Sequence, residues 1–464
     1  MNTFKRSLLA LALVLVSVSF AQTPATPNVE GMWLGTLSAG SANLRIVIKI
    51  SRKADNSLSA VLDSPDQGAK GIPADEVMLT GDSLHVGVKM ILGGFDGKVQ
   101  DSTITGHWSQ RGQSFPLSLT RVQVEPELAR PQMPKKPYPY LEEDVSFVNA
   151  KGGDTLAGTF THPEGSGPFT TALLISGSGP QDRDESIAGH KPFLVIADYL
   201  TRQGIAVLRV DDRGVGKSTG KFAQATTEDF ATDAEAAIAY LKTRPDVNGK
   251  RIGLIGHSEG ALVADMLGAR SKSVAFIVTI AGPGVTGEEI IFQQGDLISK
   301  VQGMNGEEIA RNRTMRQQMF DIVRTEKDSS AAATRLRGLM HAAAAPSDSI
   351  SGAMMDMQIR QLLSPWMRSF LAYDPRPDLK KITCPLLAIF GEKDLQVPPQ
   401  PSSSEVAKAL EKGKSHSYEI KILPGLNHLM QTAESGSPSD YARIEETFSP
   451  EALKIIGDWI GKLK

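Results

Sequence analysis

Two serines of this chain lie in the pattern Gly-x-Ser-x-Gly, which can present a hydroxyl for nucleophilic attack. They are Ser218, in GKSTG, and Ser258, in GHSEG. The chemistry needs a strand running into the first glycine and a helix starting at the serine, because that sharp turn lifts Oγ above the edge of a sheet. Ser258 follows the apolar run RIGLI and precedes ALVADMLGAR, whose apolar residues have helical spacing. Ser218 lies several residues beyond its strand and opens no helix, so we predict Ser258 as the nucleophile.

A serine hydroxyl is a poor nucleophile at neutral pH and needs a nearby base, most often histidine. The chain has eight histidines. Only His428, in LPGLNHLM after the last predicted strand, occupies a loop at the carboxyl edge of a sheet late enough to follow an acid in the order Ser, Asp, His. Others fall inside the Gly-x-Ser-x-Gly motif, as His257 does, or in polar loop contexts, as His190 does. We therefore predict His428 as the base.

The acid that orients this base should come from the end of the preceding strand. Asp394 follows PLLAIFGEK directly, where its carboxylate can hold the imidazole and stabilise its protonated form. Glu392 is two residues away and is the competing candidate, because strand alternation could point either residue correctly. We favour Asp394, since the extra loop residues bring it nearer the edge.

An oxyanion site should combine the backbone N–H of Glu259, the residue after the nucleophile, with an N–H from the loop after the first long parallel strand. That loop is SGSGP, residues 176–180, and Ser178 is the candidate donor. The alternative interpretation is that this loop is only a tight turn and has no role in binding an oxyanion. The following acidic run, QDRDES, is at least as well explained by a local ion-pair network, and we assign it no chemistry.

No metal or organic cofactor is implied by the remaining motifs. DDRGVGKS is similar to the sequence pattern of a phosphate-binding loop, but Asp211 occupies the position of the first glycine of that pattern. GPGVTG resembles a dinucleotide fingerprint, but Pro283 removes a backbone N–H that the fingerprint needs. Cys384 is the only cysteine, which excludes an intramolecular disulfide and a thiolate cluster.

The elements that must position these residues fall into two regions. Residues 29–122 contain several alternating runs separated by turn residues, which predicts a small antiparallel β domain. A Pro-rich linker follows at 123–141. Residues 142–464 alternate short apolar strands with helical segments, which predicts a doubly wound, mostly parallel sheet. Residues 287–378 carry only amphipathic helices and are predicted to form a cap.

Composition excludes some function classes. The chain of 464 residues is 41% hydrophobic and has 50 Lys and Arg against 52 Asp and Glu, so no broad basic surface for nucleic acid is expected.

The first residues of the chain combine Lys5 and Arg6 with an apolar run and small residues, which predicts a signal peptide at 1–21 and a periplasmic or secreted protein. A membrane anchor is the alternative, but the run is shorter than a span requires, so we expect no stable membrane insertion after cleavage.

Taken together, the segments GSGPQDRDES, VDDRGVGKST, IGHSEG, SPWMRSFLAYDP, FGEKDLQVPP and LNHLMQ resemble exported bacterial α/β-hydrolases similar to carboxylesterases and to serine-aminopeptidase-like hydrolases. The resemblance covers the chain from about Asp144 onward. It implies a mostly parallel eight-stranded sheet with a helical cap, and it places nucleophile, acid and base on Ser258, Asp394 and His428. Many relatives carry His-Gly in the oxyanion loop where this chain has Ser176-Gly177.

These expectations lead to one functional hypothesis and two rivals. The hypothesis is hydrolysis of a small-molecule carboxylic ester through an acyl-enzyme. Eight of the 15 methionines fall in the predicted cap, which suggests short or medium acyl groups in a closed pocket, although packing between cap helices explains them as well. The first rival is a serine aminopeptidase or amidase with the same triad. The second is a non-catalytic binding protein on a hydrolase scaffold; no oligomeric state follows from the residues.

Overall fold

The computed structural model of this protein describes residues 27–39, 42–67, 69–110, 113–124, 129–343, 352–415 and 417–463. The chain divides into two compact units that part at Pro126, except that the segment Pro65–Ala69 groups with the second. The predicted signal peptide lies outside the described residues.

The first unit is an antiparallel β domain, in accord with the alternating pattern of its sequence. Its core contains fully buried aromatic side chains, among them Trp33, Phe95 and Trp108. The strands run in the order β4-β3-β2-β1-β9-β8-β7-β6-β5. Within the described ranges they are β1 Gly31–Ala39, β2 Ala42–Arg52, β3 Leu58–Ser64, β4 Ala69–Pro73, β5 Glu76–Thr80, β6 Ser83–Val88, β7 Gly93–Gln100, β8 Thr103–Gln110 and β9 Gln113–Val122.

The second unit is built on an eight-stranded sheet with the order β10-β11-β13-β12-β14-β15-β16-β17. Its strands are β10 Leu141–Val148, β11 Thr155–His162, β12 Phe169–Ile175, β13 Ala206–Val210, β14 Val247–His257, β15 Ile277–Ile280, β16 Leu386–Gly391 and β17 Tyr418–Leu423. Only β11 runs against the others, because it pairs antiparallel with both of its neighbours. This is the α/β-hydrolase fold that the sequence predicts.

Helices cover both faces of this sheet. Those outside the cap are α1 Pro192–Arg202, α2 Thr227–Thr243, α3 Glu259–Arg270, α10 Pro399–Glu411 and α11 Pro450–Lys462. In β12, Leu173 joins the apolar cluster that contains α2 and α3, whereas Ala172 and Leu174 join the cluster with α1 and α11. Both sides of the central strands are therefore buried, which explains their continuous apolar runs.

The predicted cap is a set of helices between β15 and β16. They are α4 Gly287–Val301, α5 Gly306–Thr325, α6 Ser329–Ala343, α7 Gly352–Leu362, α8 Pro365–Ala372 and α9 Arg376–Leu379. Buried methionines such as Met319, Met340 and Met367 pack with Phe320 and Leu336 in the cap's own apolar core. No helix in the described part of the chain combines the length and the apolar character needed to cross a membrane.

Candidate active site

Ser258 occupies the turn between β14, which ends at His257, and α3, which begins at Glu259. Its backbone is left-handed, with φ +53° and ψ −117°, a conformation rarely found in residues other than glycine. The Ser258 N–H donates to the carbonyl of Ile280 at 2.8 Å, which anchors the turn to the neighbouring strand β15. A backbone held in an unfavourable region by its surroundings is typical of a functional turn.

The two glycines that flank Ser258 are required by close packing. A Cβ on Gly256 would lie 2.2 Å from the carbonyl oxygen of Gly260, and a Cβ on Gly260 would lie 2.1 Å from the carbonyl oxygen of Ile175. Strand, turn and helix therefore approach too closely for any side chain at these positions.

Ser218, the serine of the second Gly-x-Ser-x-Gly motif, is buried in a different environment. Its Oγ donates to the carbonyl of Asp211 at 2.8 Å and accepts from the N–H of Ala157 at 2.9 Å. The first bond closes the loop after β13 on itself, and the second holds that loop against β11. Ser218 is thus a structural residue.

His428 and Asp394 meet at the carboxyl edge of the sheet. Nδ1 of His428 lies 2.8 Å from Oδ2 of Asp394, and both side chains are buried. Oδ1 of Asp394 accepts from the N–H groups of Gln396 and Val397 at 2.8 and 2.9 Å. Since a carboxylate only accepts, Nδ1 carries the hydrogen and Nε2 is left free to act as a base. Glu392, the competing acid, instead accepts from the N–H of Gly425 at 2.9 Å.

Ser258 and His428 line the same cavity, which opens to solvent. Within the described residues, Ser258 Oγ makes no hydrogen bond to His428, a common situation in sites without substrate. The remaining lining is largely apolar or amide-bearing: Ile187, Pro283, Ile290, Ile291, Trp366, Phe370, Val397 and Leu429 with Gln181, Gln294 and Gln396. No lysine, arginine or methionine belongs to the described lining.

The predicted oxyanion loop, residues 176–180, passes beside Ser258. A Cβ on Gly177 would lie 3.1 Å from the Cβ of Ser258, so only glycine fits without displacement. The Gly177 N–H is already used, because it donates to Oε1 of Glu185 at 2.7 Å. The N–H groups of Ser178 and Glu259 have no hydrogen-bond partner in the part of the chain that the structure describes. These are the two donors that sequence reasoning selected.

Asp212 fixes both ends of this loop. Its carboxylate accepts from the Ser176 hydroxyl at 2.8 Å and from the Gln181 N–H at 2.9 Å. Burial raises the pKa of Asp212 to about 7. Ser176 is therefore held by a side chain from the loop that follows β13.

Two residues that sequence reasoning left without a role lie directly against the site. Glu185 and His257 form a buried pair, with Glu185 Oε1 2.8 Å from His257 Nδ1. The other charged residues of the QDRDES run bond elsewhere, as the ion-pair interpretation expects: Arg183 with Asp211 and Asp184 with Lys191. The acidic composition of the loop was the only available signal, and it did not distinguish Glu185 from its neighbours.

Glu259 links the turn at Ser258 to the cap. Its Oε1 accepts from Nε1 of Trp366, in α8, at 2.8 Å and from Oγ1 of Thr227 at 2.6 Å. Burial raises the pKa of Glu259, although the hydrogen bonds from Thr227 and Trp366 oppose the shift. Trp366 in turn stacks on Phe370, with ring centroids 4.9 Å apart, and both rings line the cavity.

Curated proteins similar to this chain include esterases. The chain is 30% identical over 308 residues to the esterase EstD of Thermotoga maritima, an alignment that covers 66% of this chain and 64% of that protein. It is 34% identical over 135 residues to the uncharacterized protein YfhR of Escherichia coli K12, covering 28% of this chain and 44% of that one. The chain thus spans less than two thirds of the length of either relative.

Similar solved structures include an esterase of Pyrococcus furiosus, with 17% identity, a TM-score of 0.45 and coverage of 72% of this chain and 98% of that one. The fold assignment rests on the strand order described above. The model of the serine aminopeptidase S33 family matches residues 191–434, which include Ser258, Asp394 and His428. This match confirms the resemblance to serine-aminopeptidase-like hydrolases, and the chain belongs to the serine aminopeptidase S33 family.

Proposed function

We propose that this protein is a serine hydrolase that cleaves carboxylic esters through an acyl-enzyme intermediate. The observation that carries the proposal is the placement of three groups at one cavity: the Ser258 hydroxyl on its strained turn, the His428 imidazole, and the Asp394 carboxylate 2.8 Å from His428 Nδ1. Nucleophile, base and orienting acid in this arrangement perform acyl transfer on several unrelated folds.

In the proposed reaction, Ser258 Oγ attacks the carbonyl carbon of the ester while His428 Nε2 accepts the hydroxyl proton. The tetrahedral intermediate collapses by breaking the bond to the alcohol oxygen, which receives that proton from His428 and leaves. A water molecule, deprotonated by His428, then attacks the acyl carbon; the bond from that carbon to Ser258 Oγ breaks, Oγ takes the proton back from His428, and the acid is released. Asp394 holds the imidazole in the required orientation throughout.

We propose that the carbonyl oxygen, as it becomes negatively charged, accepts hydrogen bonds from the N–H groups of Ser178 and Glu259. Both N–H groups lack a partner within the described residues, and Glu259 N is the first donor of α3, where the helix dipole favours a negative charge. Gly177 cannot take this role, because its N–H donates to Glu185.

The cavity favours an uncharged ester over a substrate with a free amine. A peptidase that recognises an amino terminus needs a carboxylate available to the ammonium group. Both carboxylates of the cavity lining are used by protein donors: Oε1 of Glu185 by His257 and Gly177, and Oε1 of Glu259 by Trp366 and Thr227. An ammonium group would have to compete with these donors for Oε1 or bind the other oxygen, and the charge of Glu185 is already paired with His257.

An aminopeptidase remains the second candidate because the family model that matches the chain is described as serine aminopeptidase. The triad chemistry does not distinguish ester from amide. The distinction therefore depends on the substrate-binding groups.

A substrate panel tests the proposal. Purified protein and Ser258→Ala should be assayed on 4-nitrophenyl esters of increasing acyl length and, separately, on aminoacyl-4-nitroanilides of leucine and proline. We expect ester hydrolysis by the wild type, little or none on the anilides, and a loss of at least about 10³-fold in kcat for Ser258→Ala. Preferred cleavage of the anilides would establish the aminopeptidase instead, and full activity in Ser258→Ala would refute the nucleophile assignment.

We also propose that the chain is exported. The support is the order of basic, apolar and small residues at positions 1–21. Expression of the full chain in a bacterium, followed by fractionation and intact mass measurement, should recover a periplasmic species beginning near Gln22. Recovery of the uncleaved chain from the membrane fraction would support the anchor alternative.

A further inference from the structure

We infer that Glu185 and His257 act together as positioning residues. They hold two loops in place against the nucleophile turn at Ser258: the base loop, which carries His428, and the oxyanion loop, residues 176–180. The inference rests on the proposed function, because it assigns these residues a part in the same reaction. Neither residue is proposed to touch the reacting atoms.

The hydrogen bonds of His257 define its protonation state. Nδ1 lies 2.8 Å from Oε1 of Glu185, and Nε2 lies 3.1 Å from the backbone carbonyl oxygen of His428. A carboxylate and a carbonyl can only accept, so both ring nitrogens must carry hydrogen. Burial alone would lower the pKa of His257, but the charge of Glu185 and these hydrogen bonds raise it above its ordinary value. His257 is therefore an imidazolium.

Through this imidazolium the base loop is tied to the nucleophile turn. His257 immediately precedes Ser258, and its bond to the His428 carbonyl connects positions 171 residues apart. The two imidazole rings also pack against each other, with centroids 4.8 Å apart and an angle of 47° between their planes. Backbone and ring of His428 are thus both fixed relative to Ser258, which determines where its Nε2 points.

The same carboxylate oxygen of Glu185 holds the oxyanion loop. Oε1 accepts the N–H of Gly177 at 2.7 Å in addition to the His257 hydrogen. Gly177 directly precedes Ser178, whose N–H is a proposed oxyanion donor. Glu185 itself has a left-handed backbone, with φ +52°, as expected of a residue held in place by its surroundings.

The Glu185 carboxylate and the His257 imidazolium have opposite charges, and this makes the pair more suitable at this position than a single buried charge. A lone buried carboxylate beside Gly177 would oppose the negative charge that develops on the substrate oxygen. The imidazolium of His257 neutralises it at 2.8 Å, so the pair supplies fixed hydrogen bonds without adding net charge.

Two substitutions at Glu185 separate the bonds from the charges. In Glu185→Gln the amide oxygen can take the place of Oε1 and accept from both Gly177 N–H and His257 Nδ1–H, so these two bonds survive without the charges, while a neutral His257 gives up its bond to the His428 carbonyl. In Glu185→Ala the bonds are lost. If the pair positions the site, we expect kcat to fall about 30-fold or more in Glu185→Ala, on the scale that a small misplacement of reacting groups costs, and clearly less in Glu185→Gln. KM should change by less than about threefold in both.

A coupling measurement covers the case in which Glu185→Ala does not fold. His257→Gln can keep a bond to Glu185 or to the His428 carbonyl but not both, and we expect it to lower kcat by about tenfold. The double variant Glu185→Gln/His257→Gln should lose no more than the worse single variant, because residues that act as one unit are not additive. Glu164→Ala, at an exposed loop position, is the control for the assay and for thermal stability.

Labelling of Ser258 by a fluorophosphonate gives a readout that needs no ester, and its rate should follow kcat across the series. A folded Glu185→Ala variant with wild-type kcat, a change confined to KM, or losses that multiply in the double variant would overturn the inference. If the wild type neither hydrolyses esters nor reacts with the fluorophosphonate, the proposed function fails first. If it does both and the Glu185 and His257 variants match it, only the positioning inference fails.

Discussion

Nδ1 of His428 and Oδ2 of Asp394 are 2.8 Å apart, and the other oxygen of Asp394 is held by two backbone N–H groups from its own loop. The aspartate is thereby fixed independently of the histidine, so it can orient the imidazole rather than move with it. Glu392, two residues earlier, turns away to the N–H of Gly425. The two acids that sequence reasoning could not fully separate therefore have different partners.

The first prediction concerns this pair. Asp394→Asn should keep the loop bonds but can stabilise the wrong tautomer of His428, so we expect kcat to fall by about 10²- to 10⁴-fold. Glu392→Gln is the matched control, and its activity should stay within about twofold of the wild type. Steady-state kinetics on the best ester of the panel makes the measurement, and equal losses in the two variants would contradict the assignment.

The second prediction concerns the close approach of the oxyanion loop to the nucleophile. In Gly177→Ala the new methyl would lie 3.1 Å from Ser258 Cβ and 3.4 Å from the His257 carbonyl oxygen, so the loop must shift and carry the Ser178 N–H with it. Loss of one oxyanion donor costs about 10²- to 10³-fold in kcat, and we expect at least a tenfold loss here. Gly249→Ala, whose methyl would meet only Lys242 Cγ at 3.9 Å, should leave kcat unchanged.

The positions of the proposed triad could be predicted because the sheet itself places them. In a parallel sheet the carboxyl ends of all strands meet at one edge, so a serine after β14, an acid after β16 and a histidine after β17 must come together. Each is marked in the sequence by an apolar strand immediately before it. The register of neighbouring strands completes the arrangement: His257 of β14, for example, lies opposite Ile280 of β15.

The contacts that support the site could not be predicted, because they depend on loops and on the cap. Glu185 meets His257 across 72 residues, and Glu259 meets Trp366 across 107. Which acid of the QDRDES run points inward is decided by the backbone of the loop, and no periodicity marks it. The burial of His190 was unpredictable for the same reason: it lies in a loop with polar neighbours in the sequence, but its side chain is fully buried against Tyr441 and Thr447, more than 250 residues later.

The third prediction concerns the bond between cap and nucleophile turn. Trp366→Phe retains a ring against Phe370 but removes the Nε1–H that binds Glu259, leaving a buried carboxylate oxygen with one donor fewer. Such a loss costs about 1–3 kcal/mol of the free energy of unfolding. Because the ring also lines the cavity, KM should rise more than kcat falls. Trp459→Phe, in the apolar cluster with α11, is the matched control, and it should lower stability without changing KM.

The fourth prediction follows from the buried His190. Its Nε2 lies 2.9 Å from the carbonyl oxygen of Tyr441 and its Nδ1 lies 2.9 Å from the Thr447 hydroxyl, so the neutral ring satisfies both partners. Burial lowers the pKa of His190 from 6.5 to about 4. Between these two values the unfolded chain binds a proton that the folded protein does not, so the free energy of unfolding falls as pH is lowered from 6.5 to 4 and levels off below.

At about 1.4 kcal/mol for each pKa unit, this contribution amounts to roughly 2 to 3 kcal/mol across that window. His190→Gln can keep both hydrogen bonds but does not titrate there. Urea denaturation of the full chain, followed by tryptophan fluorescence at pH 7.5, 6, 5 and 4.5, should therefore show a shallower loss of stability for the variant, with the difference between the proteins changing little above pH 7. Parallel pH dependence of the two proteins down to pH 4.5 would mean that His190 is protonated in the folded state, and that water or a rearranged loop solvates the charge.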